Sequence, residues 1–134
     1  MRVPYPTRGM ETPAPALRIQ LIHPDTKAKV AVMARVDCGA DITTIPFVSL
    51  DALNLVAVGR TFTAGYDDLG KSHYLFAYTL RFRSLIFENI KVIAALTPEV
   101  LIGLDILNQM HVCLNGPQKQ LEIIEKRTSS RSRR

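Results

Sequence analysis

The chain has 134 residues, two cysteines and a formal net charge of +5 at neutral pH. This length suits one domain with a modest core. Residues 126–134 hold five of the 17 basic residues and no acid, so the other 12 basic residues balance 12 acidic ones. The tail is therefore expected to be a disordered basic end, and the folded body to be near neutral, with no basic surface for nucleic acid.

The N-terminal segment 1–16 lacks the apolar stretch of a secretory signal. No apolar run approaches the roughly 18 residues that a membrane-spanning helix needs. These absences predict a cytoplasmic protein without a membrane span. In that setting Cys38 and Cys113 are expected to be reduced, with no structural disulfide and no metal cluster.

Four prolines within residues 1–15 remove backbone donors and predict an extended, poorly ordered arm. Alternating apolar residues then predict a strand over Leu17–Ile22, and a Pro-Asp turn leads to a second strand over Lys27–Val36. His23, in that turn, is expected to be solvated rather than a metal ligand. The second strand ends directly at Asp37.

The loop after this strand reads Val36-Asp37-Cys38-Gly39-Ala40-Asp41, followed by Thr43. Because Gly39 has no side chain, two such loops could approach closely enough to place two Asp37 carboxylates around one water. Farther on, Pro46 and apolar residues at helical spacing predict one or two turns of helix through Asn54.

Residues 64–71 combine two glycines with polar residues, which favours the tip of a hairpin. An aromatic-rich strand over Ser72–Arg83 and another over Phe87–Ala95 are expected to follow.

Asp105 is interpreted as the cap of a helix from Ile106 to about Gln109, in preference to a third catalytic acid. The last apolar runs predict a closing hairpin that ends at Ile124.

Two of these segments, Val36–Asp41 and Val100–Leu107, resemble the catalytic loop and the supporting segment of retropepsin-like (retroviral-type) aspartic proteases. The resemblance covers roughly Ala16–Ile124. It implies an all-β fold with one or two short helices, closed and barrel-like, with one lobe per chain. The implied domain is 16–125, between the arm 1–15 and the tail 126–134.

The resemblance also implies a function: a homodimeric aspartic endopeptidase in which Asp37 of each protomer activates water for hydrolysis of a peptide or protein substrate, without metal or other cofactor. The alternative is a noncatalytic dimer of the same fold that binds peptides. The implied active-site loop, flap and loop support are, respectively, Cys38, Gly39, Ala40, Asp41 and Thr43; Ala64, Gly65, Tyr66, Asp67, Asp68, Leu69, Gly70 and Lys71; and Leu101, Ile102 and Gly103.

The chain departs from the family pattern at two positions. Cys38 replaces a Thr or Ser whose hydroxyl bonds across the dimer, and a thiol is a weaker donor. Leu104 replaces an Arg that pairs with the acid at the position of Asp41. Asp41 therefore needs Arg18, a backbone amide or solvent as its partner.

Overall fold

A computed structural model describes residues 1–6, 12–63, 71–95 and 98–124. The chain is mostly β, and its elements are β1 (Arg2–Pro4), β2 (Ala16–Ile22), β3 (Lys29–Val36), β4 (Thr44–Pro46), α1 (Phe47–Leu53), β5 (Ala57–Thr63), β6 (Lys71–Phe82), β7 (Leu85–Ala95), β8 (Val100–Ile102), α2 (Leu104–Leu107), β9 (His111–Asn115) and β10 (Gln120–Ile124).

The period-two apolar pattern decides which face of the first hairpin is inside. Leu17, Ile19 and Leu21 on β2 are buried, whereas Arg18 between them is exposed. Successive side chains of a strand point to opposite faces, so this pattern gives β2 one core face and one solvent face. β3 pairs with β2 in antiparallel register and carries the chain into Asp37.

His23 organises the turn between these strands. Its Nδ1 accepts hydrogen bonds from the backbone N–H groups of Asp25 at 3.0 Å and Thr26 at 3.2 Å. Lys27 completes the turn with a left-handed φ of 64°. The histidine therefore has a turn-forming role that the sequence did not predict.

The main sheet closes on itself because β2 pairs with β3 along one edge and with β6 along the other. The order around the barrel is β2-β3-β8-β4-β7-β6, six strands, and β5 extends from β6. The β3–β8 and β4–β7 pairs are parallel. The predicted fold class, a closed barrel with short helices, is confirmed.

A smaller sheet, in the order β1-β10-β9, packs against the barrel. Leu121 and Ile123 of β10 are buried in the same core as the barrel residues. The core is therefore continuous between the two sheets, and its largest fully buried side chains include Leu17, Ile19, Leu21, Ile45, Tyr78, Leu80, Ile102 and Ile106.

The N-terminal residues, predicted to be a poorly ordered arm, include a paired strand. β1 is extended as expected but pairs with β10 of the same chain, with Val3 opposite Leu121. The Met1 ammonium donates to the Ile123 carbonyl at 3.0 Å, and the Ile123 amide donates to the Met1 carbonyl at 2.9 Å. Pro4 is tolerated because β1 is an edge strand.

Both helices differ from the predicted bounds. Pro46 is the extended residue before α1 rather than its first helical residue, and Asn54 ends the helix with a left-handed φ of 53°. α2 begins at Leu104 with Gly103 at its N-cap, two residues earlier than predicted. In the described part of the chain, no helix is long and apolar enough to cross a membrane.

Candidate active site

Asp37 stands at the end of β3, in a loop held by main-chain hydrogen bonds. Its amide donates to the Ile102 carbonyl of β8 at 2.9 Å. Its own Oδ1 accepts a hydrogen bond from the Gly39 amide at 2.9 Å. Asp37 is half-buried, while Cys38 and Gly39 are exposed. The carboxylate is thus fixed in orientation at the surface of the protomer.

Gly39 also makes room for the carboxylate within its own chain. A Cβ at this position would lie 3.2 Å from Asp37 Oδ1, which is tighter than ordinary van der Waals contact. The sequence predicted only that Gly39 allows two loops to approach. In the structure, Gly39 also leaves space for Asp37 Oδ1, which accepts the hydrogen bond from the Gly39 amide.

Gly103 brings the supporting segment into direct backbone contact with the Asp37 loop. A Cβ at Gly103 would lie 2.7 Å from the Ala40 carbonyl oxygen and 2.9 Å from the Ile42 carbonyl carbon. Immediately after it, the Leu104 amide donates to the Ala40 carbonyl at 2.8 Å, and the Asp105 amide donates to the Asp41 carbonyl at 3.2 Å. Only a residue without a side chain permits both hydrogen bonds at this spacing.

Asp105 ties the two segments together through Thr43. Its Oδ2 accepts from the Thr43 amide at 3.0 Å, and its Oδ1 accepts from the Thr43 hydroxyl at 2.7 Å. Thr43 Oγ1 in turn accepts from the Gly103 amide at 3.0 Å. Thr43 is fully buried, and this network satisfies its polar groups.

The interpretation of Asp105 as a helix cap is therefore wrong. Gly103 occupies the N-cap position, and Asp105 lies inside the first turn of α2. Its carboxylate faces Thr43, 62 positions away in the chain, and also accepts from the Ile106 amide at 2.9 Å. A residue that looks local in the sequence makes its main contacts across the fold.

Tyr78 lies in the core beneath this network and was not singled out as a site residue. It is fully buried, and its hydroxyl has no hydrogen-bond partner of good geometry. Burial raises its pKa well above the ordinary value of 10.0, the charge of Asp105 adds to the rise, and a polar contact with Thr43 opposes it. The hydroxyl is consequently neutral in the folded protein.

Leu104, in place of the expected arginine, contributes to an apolar face beside the Asp37 loop. This face surrounds a cavity of about 210 Å³. Leu114 on it is 54% exposed, a large fraction for a leucine, and Cys38 is also exposed. We call this surface the apolar face; it consists of Val36, Cys38, Leu104, Leu107, Met110, Val112 and Leu114.

Asp41, whose family partner is missing, has an exposed side chain. Of the partners considered from sequence, Arg18 lies elsewhere, in a groove on the barrel wall. Among the described residues, the Asp41 backbone carbonyl accepts a hydrogen bond from the Asp105 amide, and no contact of the Asp41 side chain is found. The side chain therefore faces solvent.

The implied flap lies mainly outside the described residues, which stop at 63 and resume at 71. The strands that flank it are antiparallel neighbours, with Phe62 opposite Ser72 and Thr63 opposite Lys71. Lys71 is accordingly the first residue of β6. Among the described residues, no group of three or more His, Cys, Asp or Glu side chains is placed to hold a metal ion.

No protein-family model and no curated protein matches this sequence. Solved structures do match. A retropepsin-like aspartic protease from Rickettsia conorii aligns with a TM-score of 0.63 at 14% identity, over 92% of this chain and 90% of that chain. The protein has the retropepsin fold.

Two viral proteases agree with this assignment. Simian foamy virus (mac) protease aligns with a TM-score of 0.52 at 17% identity, over 70% of this chain and 92% of that chain. EIAV protease, complexed with the inhibitor HBY-793, aligns with a TM-score of 0.50 at 17% identity, over 77% and 92% of the two chains. Within the retropepsin fold of this chain, the two segments that carry the sequence resemblance lie against each other.

The contact at Gly103 predicts a large loss of stability for Gly103→Ala. Its Cβ would meet backbone atoms, which cannot move without shifting the Asp37 loop, so we expect destabilisation of about 1–3 kcal/mol or more. Gly116→Ala is the matched control because nothing lies within 4 Å of a Cβ there, and it should change stability by less than about 0.5 kcal/mol. Denaturant unfolding measures both; equal losses would contradict the close-contact interpretation.

Tyr78→Phe should be tolerated at neutral pH and should flatten the alkaline limb of the stability curve. Removing a buried hydroxyl without a good partner is expected to cost little, or to stabilise by up to about 1 kcal/mol. Because the folded-state pKa is raised, the full stability is present below pH 10.0. As pH rises further, the unfolded tyrosine ionises first, and wild-type stability falls by up to about 1.4 kcal/mol per pH unit.

Unfolding measured for wild type and Tyr78→Phe across the alkaline range tests this, since ionisations common to both proteins cancel in the difference. A variant that is strongly destabilised at neutral pH, or a difference that does not change with pH, would contradict the assigned environment of Tyr78.

Proposed function

We propose that this protein is a homodimeric aspartic endopeptidase whose reaction centre contains Asp37 from each of two protomers. The observation that carries the proposal is the placement of Asp37: a half-buried carboxylate, oriented by the Gly39 amide, at the exposed end of a loop braced by β8. The retropepsin fold supports it, because the solved structures that share this fold include aspartic proteases.

One protomer contributes only half of such a centre, so the proposal requires a twofold pair. Two carboxylates that share a site do not both ionise, and the pair holds one proton. The ionised Asp37 takes a proton from water while the water oxygen attacks the scissile carbonyl carbon. The neutral Asp37 gives its proton to the carbonyl oxygen, which yields a tetrahedral diol.

Collapse of the diol completes the hydrolysis. One hydroxyl proton returns to the carboxylate, the carbonyl re-forms, and the C–N bond breaks as the leaving nitrogen receives a proton from the other Asp37. The dyad ends with one proton, as it began, so no cofactor is consumed. Gly39 and Ala40 shape the floor of the site. Residues 64–71, which follow β5 and include the first residue of β6, act as the flap over an extended substrate.

The apolar face is the proposed contact between protomers. It adjoins the Asp37 loop through Cys38 and exposes Leu114 to solvent. The proposed contact does not use an added strand on β10, since β1 and β9 of the same chain already pair with its two edges. Leu104, in place of an arginine, adds apolar area to this contact. Burial of apolar surface then takes the place of a charge-assisted hydrogen bond as the source of stability.

Asp37→Asn is expected to abolish peptide cleavage. General acid–base catalysis contributes on the order of 100-fold to 10,000-fold in rate, and an amide performs neither role here. Wild type and variant are incubated with a diverse peptide mixture from acidic to neutral pH, and the products are read by mass spectrometry. Asp51→Asn, an equal charge change on the exposed side of α1, should retain cleavage.

Cleavage that survives Asp37→Asn would refute the proposed mechanism. Peptide binding without cleavage in the wild type would instead support the alternative, a peptide-binding module of the same fold.

Leu114→Glu is expected to weaken self-association by about tenfold or more, because each dimer would lose two buried leucines and gain two buried charges. Ile86→Glu is the matched control, since both side chains are 54% exposed but Ile86 lies outside the apolar face. Sedimentation equilibrium of all three proteins measures the dissociation constants. Equal weakening by both variants would exclude the apolar face as the dimer contact.

A further inference from the structure

A groove on the outer wall of the barrel collects positive charge away from the Asp37 loop. Its volume is about 430 Å³. Four of its seven lining residues are cationic and none is acidic. We call it the basic groove; it is lined by Arg18, Ile19, Gln20, Lys29, Ala31, Arg81 and Arg83.

The strand register explains why these cations meet. β2 is the central strand, with Gln20 opposite Ala31 of β3 on one side and opposite Arg81 of β6 on the other. Arg18 lies two residues from Gln20, and Lys29 two residues from Ala31, so both share the solvent face of this row. Closure of the barrel between β2 and β6 is what brings Arg81 to this position.

These charges have no acidic partners among the described residues. The ion pairs there join Arg2 to Glu122 and Arg35 to Glu99, neither of which involves the basic groove. The Arg81 Nε–H donates to the Arg83 carbonyl at 3.0 Å, which holds the Arg81 side chain along the end of β6. The expectation of a body without a basic surface for nucleic acid was based on total charge, which does not describe how the charges are distributed over the surface.

We infer that the basic groove binds an acidic segment of another polypeptide. Arginine guanidinium groups form paired hydrogen bonds with carboxylates, and three of the four cations are arginines. Met33 and Ile86, opposite Arg18 and Arg81 in the strand pairs, are exposed at 38% and 54%. They offer apolar contacts to aliphatic residues between the acids of such a segment.

The lining favours a peptide over unpaired nucleic acid. The groove, of about 430 Å³, has room for part of an extended chain. No aromatic side chain lines the groove within the described ranges, so stacking of unpaired bases has no support.

The binding site is separate from the proposed reaction centre. Along β3, Met33 and Lys29 precede Asp37 by four and eight positions, or roughly 13 and 26 Å at the rise of a strand. Recognition of an acidic segment there therefore does not depend on peptide hydrolysis, and binding at the groove can be tested independently of the proposed activity.

Binding of a fluorescently labelled glutamate-rich peptide to the full chain tests the inference by anisotropy, with the same peptide carrying glutamine at every glutamate as the ligand control. Arg18→Gln combined with Arg81→Gln should weaken binding by about tenfold or more, since two charged contacts are lost. Arg2→Gln combined with Arg60→Gln removes the same charge outside the groove and should change the affinity less than about twofold.

A variant with Arg131, Arg133 and Arg134 replaced by glutamine in the full chain is the control for peptide binding by the basic tail. The inference is overturned if the control pair weakens binding as much as the groove pair, or if the tail variant accounts for the whole affinity. It is also overturned if the glutamine peptide binds equally well, or if a single-stranded oligonucleotide or an anionic vesicle binds more tightly than the glutamate peptide. Thermal unfolding of each variant confirms that it is folded.

Discussion

The approach of Gly103 to the loop that carries Asp37 is the constraint on which the rest of the site depends. The backbone at Gly103 comes so near the Ala40 carbonyl that a single carbon added there would overlap it. This proximity lets the Leu104 amide reach the Ala40 carbonyl and lets Thr43 accept from the Gly103 amide. The loop is therefore supported both by main-chain hydrogen bonds and by the side chains of Thr43 and Asp105.

A half-buried carboxylate behind this contact performs a second, structural task. Asp105 receives both the amide and the hydroxyl of Thr43, and its charge also raises the pKa of Tyr78 below it. Charge-assisted hydrogen bonds of this kind are roughly twice as strong as neutral ones. The two acids of this small site therefore differ in their surroundings. The Asp105 carboxylate accepts hydrogen bonds from Thr43, whereas Asp37 lies in a loop at the surface.

The replacement of an arginine by Leu104 shifts the balance at the neighbouring surface from charge to hydrocarbon. Asp41 is left in solvent, and Leu104 joins Leu114 and Met110 in the apolar face. The barrel wall carries a charged surface instead. Cations from three strands meet there, and no described acidic residue lines the groove. The protein therefore has two unlike surfaces, one apolar beside the Asp37 loop and one basic on the barrel wall.

The sequence by itself determined the features that depend on neighbouring residues: the alternation of Leu17, Ile19 and Leu21, and the strand that ends at Asp37. Sequence reasoning misassigned Asp105, whose carboxylate was interpreted as a local helix cap. It also considered only the total charge, which did not reveal the cluster of cations in the basic groove. Only the tertiary structure decided these points. Thr43 and Asp105 are 62 positions apart, and Gln20 meets Arg81 only when the barrel closes. Such contacts are set by sheet register across the fold, and no local period in the chain encodes them.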